Sequence, residues 1–299
     1  MTTKKKELVF SILLIFTAII WGSAYSVCKE IQQYISQSFI IAIRFSIAAL
    51  GLGYYVWQAR KKMDRTLIQG GLVTGILLFL AFLIQTSGLN LTTASKNAIL
   101  SQTNVVFVPL LLWLFGREKM TLKLTVTVTL CFLGILIISP PELTGMNTGD
   151  AISLLGGFFY GAHIVAVAFF ANKTDIMPMT CLQFAFAALF SWSYAFSTAS
   201  FPADLPVSVW LGIAWLAIMS TLVAMTLMNL GIKYVSSTKT TIILSTESLF
   251  GCMFGIVIHN DPLTMPILIG GAIVLGSVLL SQLDFSSKKR QSKLASTSA

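Results

Sequence analysis

Two stretches of this 299-residue sequence decide its fold: LNLTTASKNAILSQTNVVF at residues 89–107 and IKYVSSTKTTIILSTESLF at residues 232–250. Each joins a hydroxyl-rich turn with a lysine to an apolar run that carries amides or an acid. At an offset of 143 positions, Lys96 falls on Lys239. The same offset aligns Gly88 with Gly231, Ile99 with Ile242, Thr103 with Thr246, Asn104 with Glu247 and Phe107 with Phe250. A pattern written twice in one chain predicts an internal duplication.

The composition indicates a membrane protein. Apolar residues make up 56% of the chain and charged residues only 10%, whereas soluble domains carry roughly 25% charged residues. The apolar residues fall in blocks of about 20, the length with which a helix crosses a hydrocarbon core. Blocks such as ILLIFTAIIWG at residues 12–22 lack the alternation of barrel strands. The sequence therefore predicts an all-α membrane protein.

The apolar blocks predict ten transmembrane helices, separated by turn-forming segments such as SPPELTGMNTGD after Ile138. The predicted spans are residues 8–28, 37–58, 66–89, 97–116, 122–139, 149–171, 178–198, 207–230, 239–259 and 264–283. Lys4 to Lys6 before the first span resemble the start of a signal peptide. The apolar run continues past the usual signal length, so we expect it to be retained as a span.

Lysine and arginine residues predict the orientation of the helices. With a cytoplasmic N-terminus, 17 of the 20 lie on the cytoplasmic side, at residues 4–6, 60–65, 117–123, 173, 233–239 and 288–293. Only Lys29 and Lys96 fall outside, and Arg44 lies within a span. Cytoplasmic loops carry the positive excess, so both termini are predicted to be cytoplasmic. The net charge of +9 then reflects topology and does not indicate binding of nucleic acid.

The duplication extends over several helices. At an offset of 139, Trp21-Gly22 aligns with Tyr160-Gly161 and Arg44-Phe45 with Gln183-Phe184. A five-span unit repeated in tandem enters the membrane in the opposite orientation, and such inverted repeats are typical of alternating-access carriers. The predicted division is residues 1–7 as cytoplasmic N-terminus, 8–139 as first five-helix repeat, 140–148 as external linker, 149–283 as second five-helix repeat and 284–299 as basic cytoplasmic tail.

Four features resemble a known family. WGSAYSV at residues 21–27 resembles a first-helix signature, Arg44-Phe45 follows in span two, and GDAISLLGGFFYGAHIV at residues 149–165 resembles the start of a second repeat. Acidic residues follow spans four and nine, at Glu118 and Asp261. Over nearly its whole length the chain resembles EamA-type members of the drug/metabolite transporter superfamily. The resemblance implies a ten-helix carrier in a bacterial inner membrane, often an exporter of amino acids or other small metabolites.

The chain departs from the family pattern at two positions. Family members commonly place a proline thirteen residues before each of the two acids, where this sequence has Val105 and Ser248. Glu247 matches the acid that often precedes this proline in the ninth helix. These motifs identify the family and carry little information on substrate.

Two charged residues within spans are candidates for handling substrate, because intramembrane charge is costly. Glu247 is a candidate proton-coupling or cation-binding carboxylate, and its alternative role is to fix helix packing. Arg44 can receive a carboxylate or phosphate through its bidentate fork; alternatively it can extend outward to the membrane interface or hold a loop carbonyl. The repeat counterpart of Arg44 is the uncharged Gln183.

Aromatic and amide residues complete the predicted cavity. Spacing places Trp21 with Tyr25, and Tyr160 with His163, on common helix faces, where they can form cavity walls or simply pack helices together. The predicted cavity residues are Trp21, Tyr25, Arg44, Gln85, Gln102, Asn104, Tyr160, His163, Gln183 and Glu247. Aromatic walls with a few polar anchors suit an amphiphilic metabolite.

Motifs for other activities are missing from the sequence. It has no GxxxxGK[ST] loop, GxSxG or HExxH, so neither ATP hydrolysis nor enzymatic activity is predicted. Four separated cysteines and two distant histidines predict no disulfide, metal site or cofactor.

These features predict a secondary-active carrier of a small organic solute, most consistent with export of an amino acid or related metabolite. Protons are a candidate coupling ion, membrane lipid surrounds the spans, and homo-oligomerisation is left open. A nucleotide-sugar or sugar-phosphate exchanger of the same superfamily is one alternative, and it requires more cations in the cavity than Arg44. A non-transporting membrane subunit is the other.

Overall fold

The computed structural model describes residues 3–60, 63–92, 97, 100–138, 148–259 and 265–282. The described residues form helices and connecting turns and contain no strand, which confirms the predicted all-α class. The helices are α1 (Thr3–Ile31), α2 (Gln37–Ala59), α3 (Arg65–Leu91), α4 (Asn104–Leu114), α5 (Leu122–Ile138), α6 (Thr148–Phe170), α7 (Ile176–Thr198), α8 (Val207–Tyr234), α9 (Ser237–Leu244), α10 (Glu247–His259) and α11 (Met265–Gln282).

Length and composition make this a multi-pass membrane protein. Within the described residues, six helices (α1, α2, α3, α6, α7 and α8) are long and apolar enough to cross a bilayer. Shorter apolar helices cover Asn104–Leu114, Leu122–Ile137 and Leu268–Leu280. Large apolar side chains such as Leu50, Leu189 and Phe196 are exposed, as expected where lipid replaces water around the helices. The count of ten spans stays a prediction.

The bundle has two ends, which frame the candidate site. At the terminal end α1 begins and α8 ends, and the rings of Phe10 and Tyr234 stack with centroids 4.5 Å apart. At the linker end α3 ends and α6 begins, and Thr92 Oγ1 donates to Asp150 Oδ1 over 2.7 Å. Most of the predicted linker, the basic tail, Lys96 and Asp261 lie outside the described residues.

Helices α4 and α10 each begin after a break in the helical backbone. In the first break Thr103 Oγ1 donates to the carbonyl of Leu100 over 2.7 Å, and in the second Thr246 Oγ1 donates to the carbonyl of Ile243 over 2.7 Å. A hydroxyl that bonds a nearby carbonyl competes with the regular helical ladder. The two breaks lie 143 positions apart, the same offset that relates the two opening stretches of sequence.

Helix α8 contains a wide turn. Residues Leu216–Val223 are π-helical, and Thr221 Oγ1 bonds the carbonyl of Leu216, five positions earlier, over 2.8 Å. Such π segments are rare and occur frequently at functional sites. Here the wide turn presents the carbonyl of Ser220 to Trp21 of α1, whose Nε1 donates to it over 2.8 Å.

Candidate functional site

A cavity of about 70 Å³ lies between helices from both halves of the chain. Eight of the predicted residues line it: Trp21, Tyr25, Arg44, Gln85, Gln102, Asn104, Tyr160 and Glu247. Drug-sized ligands occupy pockets of roughly 300 Å³ or more, so in this conformation the cavity has room for water or a small ion but not for a drug-sized solute.

Glu247 forms an anionic pole of the cavity. Gln102 Nε2 donates to Glu247 Oε2 over 2.7 Å, and the Tyr25 hydroxyl lies beside the same carboxylate. Gln85 Nε2 donates to the Tyr25 hydroxyl oxygen over 3.0 Å, which leaves the tyrosine proton free to point at Glu247. No Lys, Arg or His among the described residues forms an ion pair with Glu247, so neutral donors alone hold this carboxylate.

Arg44 forms a cationic pole. Its Nε donates to Thr221 Oγ1 over 2.9 Å and its Nη2 to Ser220 Oγ over 3.1 Å, both on the π segment of α8. The guanidinium also lies over the ring of Phe82, 5.0 Å from its centroid. Arg44 is buried, and no carboxylate in the described part of the chain forms an ion pair with it. Neutral hydroxyls therefore orient this cation.

The aromatic wall joins the first helix of each half. The rings of Trp21 and Tyr160 meet edge to face with centroids 5.9 Å apart, and the Tyr160 hydroxyl reaches Met228 Sδ at 3.3 Å. Such aromatic contacts are worth about 0.5–1.5 kcal/mol beyond the area they bury. The wall therefore both packs α1 against α6 and bounds the cavity.

Two predicted cavity residues lie elsewhere. His163 and Gln183 are buried and do not line the cavity. His163 Nε2 and Gln183 Oε1 are 3.3 Å apart, which ties α6 to α7. The His163 ring stacks on Tyr160, so the predicted shared helix face exists, but its second member is turned towards α7.

The structure also adds residues that the sequence pattern did not single out. Thr86, Asn97 and Ser220 line the cavity, and Thr221 orients Arg44. Asn97 Nδ2 donates to the carbonyl of Gln85 over 2.9 Å and to Ser153 Oγ over 2.8 Å. In the sequence these residues are recognisable only as single polar residues within apolar spans. That pattern does not distinguish a residue that lines a cavity from one that bridges two helices.

The groups that line the cavity can bind a solute through charge, hydrogen bonds and aromatic contacts. They comprise a carboxylate, a guanidinium, carboxamides, hydroxyls and aromatic rings. Among the described residues, no three His, Cys, Asp or Glu side chains are grouped so that they could hold a metal ion.

A model of the EamA-like transporter family matches this chain twice, at residues 9–139 and 147–283. An uncharacterized transporter of Archaeoglobus fulgidus is 29% identical over 279 residues, which cover 93% of this chain and 87% of that protein. The uncharacterized transporter YyaM of Bacillus subtilis is 22% identical over 290 residues, covering 92% and 93%. A solved crystal structure resembles the fold with a TM-score of 0.73 at 16% identity, covering 91% of this chain and 96% of that one.

Proposed function

Because the chain belongs to the EamA-like transporter family, we propose that it is a secondary-active carrier that moves a small organic solute by alternating access. The observation that carries the proposal is one cavity lined by a buried cation, Arg44, and a buried anion, Glu247, neither of which forms an ion pair with another described residue. A charge inside the membrane costs at least about 2.5 kcal/mol and marks substrate or ion pathways. A bound solute with charged groups would supply ion-pair partners for Arg44 and Glu247.

Contacts between the halves support an arrangement of two inverted five-helix repeats. A Cβ placed on Gly22 would lie 2.7 Å from Phe250 Cβ, and a Cβ placed on Gly161 would lie 3.2 Å from Phe107 Cβ. The glycines are related by the offset of 139 and the phenylalanines by the offset of 143. The same crossing of helices therefore occurs twice, as a pseudo-two-fold axis requires.

Cavity chemistry favours a zwitterionic solute such as an amino acid. A solute with one carboxylate and one ammonium can place its poles against Arg44 and Glu247, and the carrier then returns empty without a net buried charge. Bidentate hydrogen bonding suits Arg44 to a carboxylate. We propose export across a bacterial inner membrane with both termini cytoplasmic, based on the distribution of lysine and arginine, and proton coupling at the buried Glu247.

A nucleotide-sugar or sugar-phosphate exchanger fits the cavity less well. Within the described residues, Arg44 is the only cationic side chain that lines the cavity. Lys239 lies at the terminal end, where its Nζ forms an ion pair with Glu7 Oε1 over 2.8 Å. Several phosphate oxygens would therefore have a single cationic partner.

Counterflow in proteoliposomes tests the proposal. Vesicles preloaded with one unlabelled amino acid, nucleotide sugar or sugar phosphate are presented with the labelled compound. We expect saturable uptake for at least one amino acid, and a loss of at least about tenfold in Arg44→Gln, equivalent to roughly 1.4 kcal/mol of solute binding.

The matched control is Ser191→Ala, which removes a buried hydroxyl that bonds only its own helix, at the carbonyl of Ala187. It should transport like the wild type. Counterflow of phosphorylated compounds alone would support the exchanger. Absence of counterflow for all three classes in folded protein would favour the non-transporting subunit.

A further inference from the structure

The anionic pole of the cavity has more buried hydrogen-bond acceptors than donors. Within the described residues, Asn97 Oδ1, Gln102 Oε1 and Asn104 Oδ1 are buried and have no hydrogen-bond partner. All three residues line the cavity together with the Glu247 carboxylate. A buried carbonyl oxygen without a donor costs about 1–3 kcal/mol. Three such oxygens in one cavity with an anion therefore need a physical reason.

Rotation of the amide groups does not remove this excess of acceptors. Gln102 must direct its NH₂ group at Glu247 Oε2, because the opposite orientation would bring two acceptor oxygens together. Asn97 must direct its NH₂ group at the carbonyl of Gln85 and at Ser153 Oγ. The carbonyl oxygens of both side chains are therefore fixed on the side away from these partners.

Most nearby donors are already engaged, and the exception is the Ser101 hydroxyl, which lines the cavity and has no hydrogen-bond partner among the described residues. The Tyr25 hydroxyl lies beside Glu247, and the Gln85 NH₂ group donates to Tyr25. The guanidinium of Arg44 is held by Ser220 and Thr221 of α8. A proton on Glu247 and the Ser101 hydroxyl would together supply two donors and leave at least one of the three carbonyl oxygens unpaired.

We infer that this cluster binds a monovalent cation, either Na⁺ or the primary ammonium group of the transported solute, between the Glu247 carboxylate and the carbonyl oxygens of Gln102 and Asn97. Carboxylate and carbonyl oxygens are the ligands that hard cations prefer. The cluster holds a single carboxylate and Arg44 already places one positive charge in the same cavity, which disfavours a divalent ion, and a cavity of about 70 Å³ is large enough for a small cation. A monovalent charge therefore matches the cluster better than a divalent one.

The site joins the two halves of the chain. Asn97 and Gln102 belong to the first half, and Glu247 follows the equivalent break in the second half. A cation between them would hold the halves together and would stabilise the closed conformation. The inference deepens the proposed function, because it specifies the cation chemistry of the same cavity.

Thermal unfolding of the purified full-length protein in detergent tests the inference. Choline chloride is replaced stepwise by sodium chloride or methylammonium chloride at constant ionic strength. Because a ligand that binds only the folded state stabilises it in proportion to occupancy, we expect a saturable increase in Tm of about 3 °C or more. Sodium alone indicates an ion site, and methylammonium alone indicates a site for the solute's ammonium group.

Variants test whether the cation-dependent increase in Tm arises at Glu247 and Gln102. Glu247→Gln and Gln102→Leu should each raise the apparent dissociation constant at least about tenfold, whereas Ser191→Ala should leave it unchanged. Should Gln102→Leu fail to fold, equilibrium binding of radioactive sodium or methylammonium to the wild type should give one site per chain. No saturable shift with either cation, or an unchanged shift in both variants, would overturn the inference.

Transport and cation binding can fail separately. Solute counterflow in choline buffer without a cation-dependent shift in Tm would remove the cation site and leave the proposed carrier in place. A saturable shift in a protein that gives no counterflow would keep the cation site and remove the carrier.

Discussion

The two ends of the bundle are built from corresponding helices but are packed differently. At the linker end, α3 and α6 approach closely: a Cβ on Gly88 would overlap Ser153 Oγ and would lie 3.0 Å from the Ser153 nitrogen. At the terminal end, α8 and α1 are separated by side chains: a Cβ on Gly231 would lie 3.0 Å from Leu14 Cδ2. Gly231 lies 143 positions after Gly88, and Ser153 lies 139 positions after Leu14. The Gly88–Ser153 and Gly231–Leu14 contacts are therefore related by the two offsets that align the halves of the sequence, but they are made by different atoms.

A second pair of contacts shows the same difference. At the linker end, a Cβ on Gly149 would lie 2.7 Å from the carbonyl carbon of Leu91. At the terminal end the corresponding residues, Phe10 and Tyr234, are aromatic and stack. Backbone contacts leave no room to adjust, whereas side chains can change rotamer. The comparison teaches that in this conformation the linker end is packed through backbone atoms, whereas the terminal end is packed through side chains.

The cavity also differs between the halves of the chain, and removing this difference should have the largest effect on transport. Glu247 follows the second break, where the first half has Asn104. We expect Glu247→Asn to reduce transport driven by a pH gradient at least about 100-fold, because the only carboxylate lining the cavity in the described structure is lost. Uptake into proteoliposomes with an imposed pH gradient measures this.

Asn104→Ser is the control for that substitution, since it changes the corresponding position without removing charge. Its pH dependence should match that of the wild type. If Glu247→Gln, which preserves the shape of the side chain, transported normally under the same gradient, the coupling role would have to be abandoned.

The close contact between α3 and α6 at the linker end predicts that adding one methyl group there strongly destabilises the protein. Gly149→Ala forces a methyl group against the backbone of Leu91, and such overpacking typically costs about 1–3 kcal/mol. We expect a Tm lower by several degrees, measured in detergent. Gly53→Ala is the control, because a Cβ there meets no atom within 4 Å. Equal Tm values for the two variants would contradict the backbone contact.

The corresponding change at the terminal end should matter less. In Gly231→Ala the new methyl group meets only the end of the Leu14 side chain, which can move. We expect a loss below about 1 kcal/mol, partly offset by the helix propensity of alanine. A Tm change as large as that of Gly149→Ala would show that the two interfaces are equally rigid.

Much of the fold follows from local sequence. The predicted span at residues 37–58 is observed as Gln37–Ala59, because an apolar block in lipid must satisfy its own backbone hydrogen bonds. The π segment did not follow, although it lies inside a predicted span. Its contacts are with Arg44 and Trp21, which are distant in sequence, and hydropathy contains no information on such long-range hydrogen bonds.

The candidate site was predictable by residue type more than by position. Charged and amide residues within apolar spans identified Arg44, Gln102 and Glu247, which line one cavity. Helical spacing placed His163 on the face of Tyr160, and the two rings do stack, but the His163 imidazole reaches Gln183 and does not line the cavity. Spacing fixes which residues share a helix face, whereas the packing of α6 on α7 decides which side chains reach a cavity.

The smallest expected effect concerns the ion pair at the terminal end. Lys239 and Glu7 keep 30% and 35% of their side-chain surfaces exposed, and pairs this accessible are worth about 0–1 kcal/mol. A double-mutant cycle with Glu7→Gln and Lys239→Met should therefore give a coupling below about 1 kcal/mol that decreases with added salt.

The importance of this pair lies in its position between the halves of the chain, since α1 and α9 fall in different matches of the family model. If the terminal end opens during transport, Glu7→Gln should favour opening there. A cysteine replacing Phe10 should then react faster with a water-soluble thiol reagent in the Glu7→Gln background, while a cysteine replacing Ser153 at the linker end should not. Faster labelling of Ser153→Cys alone would mean that the linker end opens first. The linker end, and not the terminal end, would then be the more easily opened of the two.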